Sequence, residues 1–243
     1  MSVALDCGYM PTSRPTLSPH IIGQYFNLDS CQMYLTREYD EDARDEIDTD
    51  EWESSKSPLL MGQGVDFERR QLKAIPQSKH KFVVPNDTEW NKYDERVSES
   101  GHLPNRTIIE KIQATARADP SEDRIVLYQP RLSGQIGEYD VRGDADIVGL
   151  LPSDEPNAVN VVVFEVKNSD EQKVSHQFQA AIYARLISQT IEDAGRGVDS
   201  IKTFVLTQGN NITEHGINSI SDFEYAPYLG KLELLLGEGK EFD

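Results

Sequence analysis

"RGDADIVGLLPSDEPNAVNVVVFEVKNSDEQKVSHQFQAAIYARLI", residues 142–187, decides how this chain is read. It holds an apolar strand, a turn-rich break, a second apolar strand ending on Glu165 and Lys167, and a long helical pattern. Side chains alternate across a strand, so Glu165 and Lys167 share one face while Phe164 and Val166 share the other. A core strand gains nothing from two charged groups on one face unless they are paired, bound to a metal or used in chemistry. The same parity puts Asp144 and Asp146 together on one side of the preceding strand. If the two strands pair as a hairpin, two or three carboxylates and one ammonium group converge near the strand ends.

Three strands are predicted in quick succession, at 124–132, 138–151 and 158–167. The separators "SGQIG" and "PSDEPN" are turn-rich, so a meander is the natural connection. The longest helix is predicted at about 171–193, with Val174, Phe178, Ile182 and Leu186 at four-residue steps. His176, Gln179 and Tyr183 form a second, polar stripe along it. A short strand at 81–84, an amphipathic helix at 105–118 with Ile108, Ile109 and Ile112 on one side, a strand at 201–206 and a helix within 222–236 complete the pattern. This order implies an α/β protein with a restriction-endonuclease-like core, a mixed central β-sheet flanked by helices.

Residues 1–17 carry Pro, Thr and Ser without period and read as a loose tail. In the helical segment 18–37, Ser18 is the expected N-cap and Pro19 the first helical residue, with Ile21, Ile22, Tyr25 and Phe26 apolar. Residues 38–57 are nearly all acidic, and self-repulsion favours an extended, solvated linker over an acidic interaction tail or DNA mimic. Ser57 and Pro58 repeat the helix-start signal for a helix that carries Phe67, Glu68 and Leu72. Residues 58–243 then form the core.

The chain has 243 residues and a net charge of -18, from 42 acidic and 24 basic side chains, with a pI near 4.6. That length suits one α/β domain with an appended arm. Such acidity ordinarily argues against a nucleic-acid partner. It is also the expected route to solubility in concentrated salt, where screening shrinks to a few ångströms, and it suggests a haloarchaeal cytoplasm. Local basic groups remain: Arg69, Arg70 and Lys73 near Glu68, Arg131 and Arg142 near the strands, Lys173 and Arg185 on the long helix. Arg142, Lys173 and His176 are the substrate-binding candidates, each arginine equally able to serve as a surface ion-pair partner. No apolar run approaches membrane-spanning length, so a cytoplasmic protein without a membrane partner is expected.

Carboxylate oxygens and water suit Mg²⁺ and Mn²⁺, and Mg²⁺ uses only one or two protein carboxylates while keeping waters for chemistry. A metal so held stabilises charge on a scissile phosphate and makes an attacking water more acidic. A lysine adds a compact positive charge that orients that water or helps deprotonate it.

In combination these residues resemble the PD-(D/E)XK nucleases, specifically the RecB-like branch that includes CRISPR-associated exonucleases. The resemblance runs from about Ser57 to Leu186, with a fainter echo at "SPHIIGQYFNLDSC". It implies that Asp146, following Gly143 in a Gly-x-x-Asp pattern, is the metal-binding aspartate, and that Glu165 and Lys167 are the acid and lysine of the core motif. Val166 between them counts among the metal-binding positions, and Glu68 is the additional upstream ligand. Gln179 and Tyr183 match the Gln-x-x-x-Tyr element that positions the lysine and the DNA backbone. Cys31 sits where several relatives carry the first ligand of an iron–sulfur cluster, but a cluster needs four ligands and the later cysteines are absent, so none is expected in this chain.

The implied activity is Mg²⁺- or Mn²⁺-dependent hydrolysis of DNA by in-line attack of water, of RecB-like exonuclease type, in repair or defence and with a helicase or defence complex as a further partner. The alternative from another class is a catalytically silent module that binds DNA or a partner. Asp144 competes with Asp146 as ligand, and Glu68 with a surface role beside Arg69. A third reading, an incidental Glu–Lys pair in a generic α/β protein, predicts that Asp146 and Glu165 lie far apart.

Overall fold

The computed structural model describes residues 16–28, 58–85, 102–119, 121, 124–137, 139–213, 216–217 and 222–236. The expectations for 1–15, 29–37 and the acidic stretch 38–57, with Cys7 and Cys31, lie outside these residues. The first elements are β1 (Thr16–Leu17), α1 (Pro19–Asn27), α2 (Pro58–Ala74), a 3₁₀ turn (Gln77–Lys79), β2 (His80–Val83) and α3 (Asn105–Thr115). Five strands follow: β3 (Arg124–Tyr128), β4 (Arg131–Ile136), β5 (Tyr139–Asp144), β6 (Ile147–Pro152) and β7 (Ala158–Val166). The chain continues through α4 (Val174–Asp193), β8 (Gly197–Leu206), the pair β9 (Ile212–Thr213) and β10 (Gly216–Ile217), and α5 (Ala226–Leu236).

The two long strands expected at 124–132 and 138–151 each break in the middle. Together they form one antiparallel ribbon that bends once and serves two sheets. Beyond the bend, β4 pairs with β5, and β1 joins β5 in parallel, giving the order β1-β5-β4. Before it, β3 pairs with β6 inside a five-stranded sheet of order β2-β3-β6-β7-β8, in which β2–β3 and β7–β8 are parallel and the two central pairs antiparallel. The fold is therefore mixed α/β, with two mixed sheets and five α-helices among the described residues.

The bend has an identifiable cause. Pro130 has no N–H for the ladder, and Gln129 before it takes a left-handed backbone with φ 48°. Such a conformation costs a residue with a Cβ about 1–2 kcal/mol. The opposite strand breaks at Ala145 and Asp146, and two bonds staple the halves: Gln129 N–H to the Asp146 carbonyl at 3.0 Å and Ala145 N–H to the Pro130 carbonyl at 3.1 Å.

α4 lies between the sheets. Phe178, Ile182, Leu186 and Ile191 pack on Val159, Val161 and Val163 of the large sheet and on Leu132, Ile136 and Val141 of the small one. Ala180, Ala181 and Ala184 are fully buried, and their small side chains let the helix come close. Val174, expected on this apolar face, is 52% exposed, because the helix starts there and not at 171. α3 and α5 cover the same face through Ile108, Ile112, Leu232 and Leu236. A second core lies on the sheet's other side, where Phe67, Leu72 and Ile75 of α2 meet Tyr128, Ile147, Phe164, Val166 and Phe204.

At the N-terminal end, Ser18 caps α1 as expected, its Oγ accepting the Ile21 N–H at 3.2 Å. The loose tail read over 1–17 needs correcting at its end: Thr16 and Leu17 form β1, and Leu17 is buried against the central helix. Two residues in alternation are too few to register as a strand in sequence. No helix among the described residues is long and apolar enough to cross a membrane.

Candidate active site

The site forms where the bend of the ribbon meets the end of β7. Antiparallel pairing sets Ile147 opposite Phe164, so Asp146, one residue before β6, lies beside the last residues of β7. Its Oδ2 accepts the Val166 N–H at 2.6 Å. Glu165 and Lys167 share a face as strand parity requires, and the Lys167 Nζ contacts the Glu165 Oε1 at 2.5 Å. Asp146, Glu165 and Lys167 therefore meet, which removes the reading of an incidental pair with distant partners.

Asp144 does not join Asp146, although strand parity gives the two one face. The bend intervenes between the two aspartates, and Asp144 remains in the small sheet, where Arg131 grips it with two bonds of 2.7 Å. This bidentate pair accounts for Arg131 as an ion-pair partner. Asp146 alone enters the cluster.

Glu68 arrives from α2, one residue after the core side chain Phe67. The Tyr128 hydroxyl lies beside its carboxylate, and its Oε1 accepts from Gln129 Nε2 at 3.4 Å. Burial first, then the charge of Asp146, raises its pKa from 4.5 to about 8. Glu165 is raised to about 8 in the same way, by burial and then by Asp146. Asp146 is raised by burial against the opposing pull of Lys167 and of the Val166 N–H. For Lys167, burial works against the charge, but Glu165, Asp146 and Glu68 prevail and hold the ammonium protonated well above the ordinary lysine range. The cluster thus sets three crowded carboxyl groups against one cation, and the Glu165 Oε2 is buried without a hydrogen-bond partner. Val166 has its side chain in the second core and its N–H on Asp146, so only its carbonyl could serve as a donor to a ligand.

Gln179 and Tyr183, buried on α4, are held by glycines on neighbouring elements. A Cβ at Gly23 of α1 would stand 2.8 Å from the Ser175 carbonyl oxygen and 3.1 Å from Gln179 Nε2. One at Gly143 of β5 would stand 2.7 Å from Pro19 Cδ and 2.9 Å from the Tyr183 hydroxyl. Gly143 is thus the space through which Tyr183 reaches the site. Burial and the charges of Glu165, Asp146 and Asp144 raise the Tyr183 pKa well above 10, so it remains a neutral hydroxyl. Gly143→Ala is expected to destabilise the fold by about 1–3 kcal/mol, the usual cost of overpacking. Urea unfolding measures that cost; an unchanged midpoint would show that the contact yields.

His176 is buried and its Nδ1 accepts the Lys173 N–H at 3.3 Å, closing the first turn of α4. Burial, then Lys167, Lys173 and His20, push its pKa down to about 4, so it is neutral at pH 7 and offers at most one ring N–H. Lys173 is exposed at the helix start. Arg142 is exposed on β5, on the face opposite to Gly143, and does not join the cluster. Gln129, which bonds Glu68, and Tyr128 beside it carry no mark of this role in the sequence. Pro130 inside an apparent strand was the available signal, since proline interrupts a ladder.

No family model matches the chain, and no curated protein matches it. Among solved structures, a protein of Eubacterium rectale provisionally named an exonuclease shares 15% identity, covering 91% of this chain and 77% of its own, with a TM-score of 0.37. The protein SSO0001 shares 12% identity, covering 77% of this chain and 91% of its own, with a TM-score of 0.25. At these scores the likeness adds nothing to the argument from the site.

Proposed function

We propose that this chain is a Mg²⁺- or Mn²⁺-dependent nuclease of the PD-(D/E)XK kind, hydrolysing DNA phosphodiester bonds as RecB-like exonucleases do. The observation that carries the reading is the convergence of Asp146, Glu165 and Lys167 at one bend, with one oxygen of Glu165 buried and unpartnered. That orphaned oxygen, among carboxyl groups driven toward protonation by burial and, for Glu68 and Glu165, by the charge of Asp146, fits a hard divalent cation. Asp146 and Glu165 would hold it, with Glu68 and the Val166 carbonyl as further donors. When bound, such an ion stabilises charge developing on the scissile phosphate and makes a bound water more acidic.

The remaining chemistry belongs to the chain itself. The Lys167 ammonium, kept protonated by its three acidic neighbours, acts as a fixed positive charge and hydrogen-bond donor that orients the attacking water and the phosphate oxygen. It is not poised as a general base. Tyr183 offers a neutral O–H beside Glu165 and Asp146, and Gln179 a buried amide one turn earlier on the same stripe. Lys173 supplies an exposed cation at the helix start for the nucleic-acid backbone.

A second reading, a silent module that binds DNA or a partner without cutting, is favoured by one observation. Among the described residues no group of three or more His, Cys, Asp and Glu side chains is placed to hold a metal together. The two readings separate in one assay: end-labelled single- and double-stranded DNA with Mn²⁺, Mg²⁺ or EDTA, in molar KCl to suit the acidic surface. Metal-dependent cutting by the wild type that Asp146→Asn abolishes is the expected result. DNA bound but never cut, by folded protein in either metal, would establish the silent module instead.

A further inference from the structure

We propose that Gln129 is a positioning residue of the metal site, a role that rests on the nuclease reading above and that no motif assigns. Among the described residues, four sites with left-handed φ occur, and three use the residues that adopt it easily: Gly137 at 58°, Gly195 at 71° and Asn157 at 64°, all at turns. The fourth is Gln129 at 48°, at the bend of the ribbon. A glycine there would form the bend without strain, so the side chain must supply something glycine cannot.

The Gln129 amide Nε2 reaches Glu68 Oε1, on a helix 61 residues earlier, while its main chain is fixed on both sides. Its N–H donates to the Asp146 carbonyl at 3.0 Å, and its carbonyl accepts the Leu103 N–H at 2.9 Å. One residue therefore touches two acids of the cluster: it places Asp146 through the backbone and steadies Glu68 through the side chain. Strain retained at a single non-glycine position, next to the reactive groups, is the pattern expected where conformation serves a site. Outer partners of metal ligands typically change metal affinity or activity about 10–100-fold when removed.

The test uses Gln129→Gly, which keeps the bend, relieves the strain and removes the side chain with its amide. Thermal unfolding, calorimetric titration with Mn²⁺ in the absence of DNA, and DNA cutting across a Mn²⁺ series are measured on the full chain. The expected result is an unfolding temperature equal to or above that of the wild type, with Mn²⁺ affinity reduced about 10–100-fold and the Mn²⁺ needed for half-maximal cutting raised to match. Gln129→Asn, which also tolerates a left-handed backbone but has a shorter reach, should behave like the glycine variant. Gln129→Glu, a near-isostere that sets a negative charge against Glu68, should alter Mn²⁺ binding more than either. A purely structural residue would show the reverse, with stability moving and Mn²⁺ affinity unchanged. Unaltered Mn²⁺ binding and cutting in both the glycine and asparagine variants, with the wild type active, would overturn the positioning role and leave the nuclease reading intact. A wild type that neither binds Mn²⁺ nor cuts would overturn both.

Discussion

Replacing Lys167 by alanine is expected to abolish metal-dependent cutting and to destabilise the metal-free fold by about 3–5 kcal/mol above pH 8, where Glu165 and Glu68 are ionised. The size follows from what the ammonium leaves behind. Glu165 is 1% exposed and its Oε1 depends on Lys167, while Asp146 and Glu68 press on the same volume. Removing one partner of a buried ion pair strands the other, and here three acids lose their common counter-charge. For a domain of this size each kcal/mol lowers the unfolding temperature by roughly 2–4 °C. Lys167→Arg separates the two effects, because the charge stays while the compact donor becomes a planar fork. That variant should recover most of the stability and little of the cutting. Equal stability of the alanine variant and the wild type in urea would contradict the counter-charge argument.

A second large effect concerns pH. Burial, then the neighbouring Asp146, raises Glu165 from 4.5 to about 8. An unfolded chain releases this proton near 4.5, whereas the folded protein keeps it until about 8. Between those values the folded state binds more protons, so stability falls as pH rises. The contribution is fully present below about pH 4.5 and lost on passing through about pH 8, on the order of 5 kcal/mol over that window. Glu68 titrates over the same range and is coupled through Asp146, so the two losses do not simply add.

Glu165→Gln removes the titrating group. It is expected to flatten the decline and to make the metal-free protein more stable than the wild type at pH 8, while eliminating cutting. Urea midpoints at pH 5, 6, 7 and 8, in EDTA and molar KCl to screen the surface acids, measure the difference. Added Mn²⁺ should restore the wild type at pH 8 by mass action and leave the glutamine variant little changed. Parallel midpoint curves for the two proteins would refute the link between the buried acid and stability.

These expectations depend on features with different visibility in the chain. The pairing of Glu165 with Lys167 needed only the two-residue alternation of one strand, and the stripe of His176, Gln179 and Tyr183 only the turn of one helix. Glu68 is a harder case. Its contact with Gln129 spans 61 residues, and nothing local distinguishes it from a surface acid. Asp144 and Asp146 were inseparable because continuous alternation through "GDAD" gave them one face, and the bend that parts them lies partly in the other strand, at Gln129 and Pro130. Val174 was misplaced for a simpler reason: it sits at the start of α4, where the apolar face has not yet reached the sheets.

By itself, the sequence determined the mixed α/β character, the order of the main elements and the Glu165–Lys167 pair, since each rests on periodicity within one element. Only the tertiary structure decided that the ribbon bends into two sheets, that Asp146 and not Asp144 enters the cluster, and that Gln129 and Gly143 hold Glu68 and Tyr183 in reach. Those outcomes depend on contacts between segments far apart in the chain, and a local pattern carries no record of which distant segment will arrive beside it.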